Sequence, residues 1–246
     1  MSPPAFWLPA ADLLVGAEVV LEGPEGHHAA TVRRLRVGEH ALLTDGAGTA
    51  ADCVVAGVDR DRLALTVEKV WLTPAPAPRL VVVQALPKGD RGETAVETLT
   101  EVGVDVIVPW AARRCVAQWR DARAARALQR WRGTAREAAK QSRRSRWPEV
   151  TELASTADVA ARIAAASLGV VLHEAAVLAL ASATVPSEGD VVVVVGPEGG
   201  LDDAELAAFT AAGAAAYRLG DSVLRTSTAG TVAAAVLLAR TGRWSG

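Results

Sequence analysis

The sequence DVVVVVGPEGGLDDAE occupies residues 190–205 and decides the fold of the larger part of the chain. Its five consecutive valines predict a strand that is buried on both faces, as strands of parallel sheets are. Gly199 and Gly200 follow, and they allow the backbone to approach a ligand without a Cβ in the way. Asp202, with Glu205 three residues later, predicts a capped helix start. A strand, a glycine-rich loop and a capped helix are typical of small-molecule sites at the carboxyl end of a sheet.

The glycine-rich loop lacks the residues of a nucleotide-phosphate site. A P-loop places Lys and Ser or Thr behind its glycines, whereas residues 201–203 are Leu, Asp and Asp. The G-x-x-G-G spacing also differs from the G-x-G-x-x-G of dinucleotide sites, although Asp221 follows at about the expected twenty residues. Two acids in the first helical turn would repel a pyrophosphate. The loop therefore favours a ligand without phosphate, and a nicotinamide oxidoreductase is the weaker alternative.

Length and composition indicate a two-domain chain. The 246 residues, half of them hydrophobic, suffice for two unequal domains. No run of 18 apolar residues predicts a membrane span, and the first ten residues do not resemble a signal peptide. Cys53 and Cys115 are too few for a disulfide framework. We therefore expect a soluble, cytoplasmic protein with no metal site.

Basic residues concentrate in one segment of this nearly neutral chain. Residues 113–146 contain twelve of the 26 basic residues, against only Asp121 and Glu137. A solvated helix face usually interleaves Glu with Lys at i and i+4, and this segment hardly does. The excess therefore favours a polyanion such as RNA, with a solvated helix face as the alternative.

The N-terminal part has the pattern of a small, mostly antiparallel β-domain. A hairpin turn is predicted at residues 45–48, and a short helical piece at 27–36 carries Arg33, Arg34 and Arg36 as a second basic site. The predicted strands are 17–22, 39–44, 49–58 and 63–71.

The Ala-Pro repeat at residues 73–78 predicts a stiff linker, after which strands and helices alternate. This alternation predicts a parallel sheet covered on both faces. The predicted strands are 80–86, 104–108, 170–172, 190–195 and 215–219, and the predicted helices are 92–102, 119–142, 157–166, 203–212 and 226–240.

The motifs resemble, over nearly the whole chain, the SPOUT-class RNA methyltransferases and, within them, the 16S ribosomal RNA uracil-N3 methyltransferases. The matching stretches are His27-His28 with Val32, Arg34, Gly38 and Glu39; residues 88–91 with Glu101 and Gly103; residues 137–142 with Arg144 and Pro148; and residues 172–174, 196–201 and 219–229. The departures are Arg33 for Leu, Glu97-Thr98 for Gln-Lys, Arg143 for Gly, and Ser227 for a common Glu.

The resemblance implies a fold and a function. It implies a PUA-like β-barrel over residues 1–72, a linker over 73–78 and an α/β methyltransferase domain with a C-terminal trefoil knot over 79–246. The implied cofactor is S-adenosylmethionine, and the implied reaction is methylation of uracil N3 in the decoding region of 16S ribosomal RNA. The implied partners are that RNA, within the small ribosomal subunit, and a second copy of the chain.

The resemblance also assigns site residues, and residue chemistry assigns roles to some of them. Arg225 is the catalytic candidate, because a guanidinium stays protonated and can stabilise negative charge on the uracil oxygens. The RNA-binding candidates are Arg34, Lys88, Arg114 and Arg144. The cofactor candidates are Leu172, His173, Glu174, Gly196, Pro197, Glu198, Gly199, Gly200, Leu219, Gly220, Val223, Leu224, Thr226, Thr228 and Ala229.

Several alternatives stay open at this point. Arg225 could instead begin a helix and pair with an acid such as Glu198, and Thr226 and Thr228 could cap that helix. The chain could be a non-catalytic RNA-binding protein, or a SPOUT enzyme that methylates ribose or another base.

Overall fold

The computed structural model describes residues 3–244, with the backbone alone at Ala122. The chain forms two compact units. The first contains the described residues up to Ala75 together with Arg136–Trp147. The second contains Pro76–Ala135 and the described residues from Pro148 onward. Residues 136–147, which the sequence analysis placed in the second domain, thus belong to the first unit.

The first unit is built on a five-stranded sheet. All its neighbouring strands pair antiparallel except the first and third, which are parallel. The strands are β1 (Ala5–Trp7), β2 (Glu18–Leu21), β3 (His40–Thr44), β4 (Thr49–Asp59) and β5 (Arg62–Leu72), in the spatial order β1-β3-β4-β5-β2. Four of these strands were predicted, and β1 was not.

The predicted hairpin and helical piece are both present in the first unit. Between β3 and β4, the Asp45 carboxylate accepts hydrogen bonds from the amides of Ala47 and Thr49, at 2.7 and 3.0 Å. A short helix α1 (Gly23–His27) continues into a π-helical turn, His28–Val32. Phe6, Leu43 and Leu65 are among the side chains of a separate core that closes over one face of the sheet.

The second unit is a seven-stranded, wholly parallel sheet in the spatial order β10-β12-β9-β11-β6-β7-β8. Its strands are β6 (Arg79–Ala85), β7 (Val106–Trp110), β8 (Glu149–Val150), β9 (Leu168–Leu172), β10 (Leu178–Ala179), β11 (Asp190–Val195) and β12 (Ala214–Arg218). Its helices are α2 (Arg91–Val102), α4 (Thr156–Ala164), α5 (Asp203–Ala211) and α6 (Thr226–Leu238), with 3-10 turns at Leu180–Ser182 and Gly242–Trp244. Helix α3 (Asp121–Gln141) contributes residues to both units.

The valine run is buried on both faces, as its composition predicts. Val191, Val193 and Val195 face a core that includes side chains of α2 and α6. Val192 and Val194 face a second core that includes side chains of α4 and α5. All five valines are at most 2% exposed. Because side chains alternate along a strand, only helices on both sides of the sheet can bury every one of them.

The predicted α/β class and the parallel sheet are therefore confirmed, and so is the separate β-domain. The short strands β8 and β10 were missed. The trefoil knot stays a prediction. Among the described residues, we find no helix with the length and apolar character that crossing a bilayer requires.

Candidate functional site

A cleft of about 360 Å³ opens at the carboxyl edge of the sheet in the second unit. It lies where β9, β11 and β12 end and where α6 begins, which is where parallel α/β sheets hold their ligands. Its lining residues are Arg91, Leu172, His173, Glu174, Val195, Gly196, Pro197, Glu198, Gly200, Leu201, Tyr217, Arg218, Leu219, Gly220, Asp221, Ser222, Val223, Leu224, Arg225, Thr226 and Ala229.

The structure brings together nearly all the residues predicted to hold a cofactor. The three predicted loops, each following a different strand, converge on this cleft together with Arg225. Gly199 and Thr228 are the predicted cofactor residues that do not line it. The Thr228 hydroxyl donates to the carbonyl of Arg225 at 3.2 Å, so it acts within the first turn of α6.

The glycine-rich loop is held by a tight turn and an arginine. The amide of Gly200 donates to the carbonyl of Pro197 at 2.9 Å, and Gly200 has a φ of +71°, a conformation that favours glycine. Nη1 of Arg114 donates to the carbonyl of Gly199 at 3.2 Å. Arg114, predicted to contact RNA, thus also braces the loop that lines the cleft.

The predicted capping box at the start of α5 is confirmed. The Asp202 carboxylate accepts from the amide of Ala204 at 3.1 Å, and Glu205 accepts from the amide of Asp202 at 3.1 Å. The bond from Ala204, followed by Arg113 at 3.3 Å, holds the pKa of Asp202 below its usual value. Asp202 therefore stays ionised at the helix N-terminus, which further disfavours a bound pyrophosphate.

A chain of hydrogen bonds beneath the cleft connects the carboxyl ends of two strands with α6. The Thr226 hydroxyl donates to the carbonyl of Gly196 at 2.6 Å, and Nε2 of Gln84 donates to the same hydroxyl at 3.2 Å. Gln84 is fully buried, and its Nε2 also faces the carbonyls of Ala85 and Thr226 at 3.1 and 3.3 Å. These two acceptors fix the orientation of the amide, because a flipped amide would set oxygen against oxygen.

Oε1 of Gln84 is buried without a hydrogen-bond partner among the described residues. Leaving a buried amide oxygen unpaired costs stability, so the three contacts of Nε2 must hold this side chain in place. Gln84 was not among the predicted site residues. The available signal was its position as the one polar residue in the otherwise apolar end of β6, VVVQA.

Arg225 is the N-cap residue of α6. Its carbonyl accepts from the amides of Thr228 and Ala229 at 3.0 and 2.9 Å, which fixes its backbone. Its side chain is exposed in the cleft and has no carboxylate within 4.0 Å among residues 3–244. The pairing with Glu198 considered above is not formed, and Arg225 remains available to a ligand.

The other two arginines that line the cleft are paired. Nη1 of Arg91 lies 3.5 Å from Oε1 of Glu198, which also accepts from the amide of Lys88 at 3.2 Å. Nη1 of Arg218 lies 2.9 Å from Asp221. Arg91, Arg218 and Asp221 were not among the predicted site residues, and their ion pairs leave Arg225 as the uncompensated arginine of the cleft.

His173 contributes to the shape of the cleft. Its Nδ1 accepts from the amide of Ala175 at 3.1 Å, and its own amide donates to the carbonyl of Tyr217 at 3.0 Å. These bonds hold the loop after β9 against β12. They give His173 a structural part in the wall of the cleft.

The residues predicted to bind RNA fall in both units. Arg34 and Arg144 belong to the first unit, and Lys88 and Arg114 belong to the second. Arg34 has a φ of +56°, and Lys88 and Arg114 are exposed. The predicted RNA contacts are thus divided between the two units.

The cysteines and the acidic residues outside the cleft give little sign of further chemistry. Burial raises the pKa of the Cys53 thiol to about 12 and also raises the pKa of Cys115. Although no metal site was expected, His40, Asp52 and Glu68 of the first unit bring ligand atoms within 4.8 Å of one another. This group is largely exposed and lies outside the cleft.

Two sequence families match the chain. An RNA methyltransferase PUA domain matches residues 21–68, and an RNA methyltransferase domain matches residues 73–238. The second match contains the whole cleft. The chain belongs to the RNA methyltransferase family.

Relatives support this membership along nearly the whole methyltransferase. This chain is 47% identical to a ribosomal RNA small subunit methyltransferase E from Mycobacterium bovis, and the match covers 93% of this chain and 89% of the relative. It is 30% identical to the protein of that name from Bacillus subtilis, over 85% of each chain.

Two solved structures are similar over 98% of the methyltransferase. A methyltransferase from Legionella pneumophila in complex with S-adenosylmethionine has a TM-score of 0.86 at 26% identity and is covered to 99%. The ribosomal RNA small subunit methyltransferase E from Neisseria gonorrhoeae, bound to S-adenosylmethionine, has a TM-score of 0.85 at 27% identity and is covered to 98%.

Proposed function

We propose that this chain transfers the methyl group of S-adenosylmethionine to N3 of a uracil in 16S ribosomal RNA, in the decoding region of the small subunit. The observation that carries the proposal is the cleft in which three loops and the exposed Arg225 converge at the carboxyl edge of the sheet. The relatives named for small-subunit ribosomal RNA methylation support the substrate class.

The cofactor is S-adenosylmethionine, and the cleft suits its size and chemistry. Its volume of about 360 Å³ falls within the range of roughly 300–1,000 Å³ that is typical of small-molecule sites. Leucine and valine side chains line it together with exposed backbone of the glycine loop, which suits an adenine. The carboxylate of Glu174 suits a cationic sulfonium, whereas Glu198 and Asp221 already pair with Arg91 and Arg218.

The cofactor supplies a methyl group that bonds to N3 as the sulfonium becomes a thioether and the N3 proton leaves. Arg225 stabilises the negative charge that spreads onto the uracil oxygens as that proton leaves. A guanidinium stays protonated, so Arg225 does not accept the proton itself. Its fixed backbone and its lack of a carboxylate partner among the described residues support this role. Water is a sufficient proton acceptor, and we assign no side chain to that role.

RNA contacts are assigned to Arg34, Lys88, Arg114 and Arg144. Their role is to position the RNA backbone, because arginine and lysine contacts to phosphate carry no base information. The position of Arg114 against the carbonyl of Gly199 supports a second role for it, in holding the cofactor loop.

The chain acts as a homodimer in the cytoplasm. Val177 is 90% exposed, Val223 is 79% exposed and Leu178 is 49% exposed, and all three lie on or next to the loops at the carboxyl edge. Exposed apolar side chains so close to a ligand cleft favour burial against a second copy. Ribosomal RNA, the proposed substrate, is a cytoplasmic molecule.

A methyl-transfer assay with product analysis tests the proposal. The wild-type chain would be incubated with labelled S-adenosylmethionine and either naked 16S RNA or assembled small subunits, and the RNA would then be digested to nucleosides. We expect the label in 3-methyluridine. Label in a ribose-methylated nucleoside or in another base would contradict the uracil-N3 specificity and would indicate the activity of another SPOUT enzyme. Cofactor binding without transfer to either substrate would contradict the proposed reaction.

A further inference from the structure

A second pocket lies within the first unit and shares no lining residue with the cleft. Its volume is about 90 Å³, and Arg33, Arg143, Lys140 and His28 are among its lining residues. We propose that this Arg33–Arg143 pocket binds one phosphate group of the RNA backbone. The inference rests on the proposed function, because it assumes that the substrate is RNA.

The two arginines come from the two basic stretches of the sequence. Arg33 follows the π-helical turn His28–Val32, and Arg143 lies just beyond the end of α3. The amides of Arg143 and Arg144 donate to the carbonyls of Lys140 and Ala139, at 3.1 and 2.9 Å, and Arg143 has a φ of +55°. This left-handed turn ends the helix and fixes the backbone of Arg143 at the rim of the pocket.

The two carboxylates near the pocket, Glu25 and the lining residue Glu137, both pair with Lys140, and three basic side chains against two acids leave the pocket formally cationic. Nζ of Lys140, which is 6% exposed, lies 2.9 Å from Glu25 and 3.2 Å from Glu137. The other oxygen of Glu25 accepts from the amide of Trp7 at 3.2 Å. A buried ammonium needs such partners, so these two acids are committed to Lys140.

The guanidinium groups of Arg33 and Arg143 have no carboxylate partner among the described residues. Both side chains are exposed, and neither has a carboxylate within 4.0 Å in the part of the chain that the structure describes. Two uncompensated guanidinium groups at one pocket favour an anion, and their planar forks match the geometry of phosphate oxygens.

The size of the pocket selects the class of anion. A volume of about 90 Å³ is far below the roughly 300 Å³ at which small-molecule sites begin, so a nucleotide does not fit inside it. A single phosphate group, with its sugars and bases outside, is of the right size. Since phosphate contacts fix register and carry no base information, the pocket would anchor the RNA strand and leave base selection elsewhere.

The test is the salt dependence of RNA binding, measured by fluorescence anisotropy with a labelled 16S RNA transcript. The variants are Arg33→Gln, Arg143→Asn and their combination, with asparagine chosen because it tolerates a positive φ. Arg36→Gln is the matched control, since Arg36 belongs to the same basic stretch as Arg33 but does not line the pocket. Arg33→Lys with Arg143→Lys keeps both charges, and thermal melting confirms that each variant is folded.

Loss of one phosphate contact lowers the slope of log K against log salt concentration by about 0.7 to 0.9. We expect that loss for the double glutamine–asparagine variant, a wild-type slope for Arg36→Gln and a largely restored slope for the double lysine variant. A wild-type slope for the folded double variant, or an equal loss for Arg36→Gln, would overturn the proposal.

Three further results distinguish a failure of the phosphate pocket from a failure of the proposed function. Calorimetric binding of inorganic phosphate that depends on both arginines, with no change in RNA slope, would make the pocket a site for free anions and would overturn the RNA assignment. If the wild-type chain neither bound nor methylated RNA, the proposed function itself would fail. Wild-type methylation with an unaltered slope in the double variant would refute only the pocket.

Discussion

The cleft of the second unit and the Arg33–Arg143 pocket of the first unit are built from different parts of the polypeptide. The cleft is formed largely by backbone and apolar side chains at the ends of parallel strands, and a hydrogen-bond chain through Gln84 underlies it. The pocket is formed by charged side chains at the ends of two helical segments. A site made by loops at strand ends can enclose a whole small molecule, whereas a site made by flexible cations suits one charged group of a larger ligand.

Among variants of the cleft and the pocket, the largest effect is expected from Arg225→Ala in the cleft. Turnover should fall at least tenfold, because the charge that develops on the uracil loses its stabilising guanidinium, while S-adenosylmethionine affinity stays within about twofold. Single-turnover methylation and calorimetry measure the two quantities. Arg225→Lys should be intermediate, since it keeps the charge but loses the planar fork. Normal turnover in the alanine variant would remove Arg225 from the mechanism.

A smaller effect is expected from breaking the hydrogen bonds beneath the cleft. Gln84→Met and Thr226→Val should each weaken S-adenosylmethionine binding by roughly three- to tenfold, the worth of one net hydrogen bond. Because both residues act through the Thr226 hydroxyl, the double variant should be little worse than either single one. Thr226→Ser, which keeps the hydroxyl, is the control and should bind normally. Fully additive losses would mean that the two residues act independently.

The smallest effect is expected at the opposite edge of the same sheet. Arg79 and Asp190 begin neighbouring strands and form two hydrogen bonds of 2.8 Å. The guanidinium holds the pKa of Asp190 below its usual value. Asp190→Asn should therefore lower the free energy of unfolding by no more than about 1 kcal/mol at pH 7, because the pair is partly exposed.

The pH dependence of this variant has a definite sign. A carboxylate with a depressed folded-state pKa stabilises the fold above its unfolded value, near 4, and loses that contribution as the pH falls through the folded value. The difference between wild type and Asp190→Asn should thus shrink below about pH 4 in urea unfolding experiments. S-adenosylmethionine affinity at pH 7 should be unchanged. Weakened cofactor binding would show that the amino edge of the sheet also shapes the cleft.

The sequence allowed the cleft to be located before its geometry was known, because its signals are local. A run of five valines requires burial on both faces, and glycines at its end mark the loop that must approach a ligand. The capping residues Asp202 and Glu205 then fix where α5 begins. Each of these inferences depends on residues within a few positions of one another.

The features that escaped prediction depend on distant contacts or on very short elements. Gln84 and Thr226 are far apart in sequence, and nothing in either neighbourhood indicates that they meet. Residues 136–147 continue a helix that starts in the second unit, so the helical pattern gave no reason to assign them to the first. The strands β8 and β10 have two residues each, too few to show any periodicity.

The Arg33–Arg143 pocket also depends on a meeting of residues that are distant in sequence. Arg33 and Arg143 are more than a hundred positions apart, in two basic segments that the sequence predicted to be separate sites. Only the fold of the first unit brings Arg33 and Arg143 to a common pocket. Lys140 lines the same pocket, but its ammonium pairs with Glu25 and Glu137.

Calorimetric titration of the wild-type chain with S-adenosylmethionine tests the central claim most directly, with NADH and ATP as controls. The account predicts one S-adenosylmethionine bound per chain and no measurable binding of either control, because the glycine loop has no phosphate-binding residues. Thr226→Val in the same titration should weaken the binding and so place it in the cleft. Failure to bind S-adenosylmethionine, both without RNA and with it, would contradict the methyltransferase account.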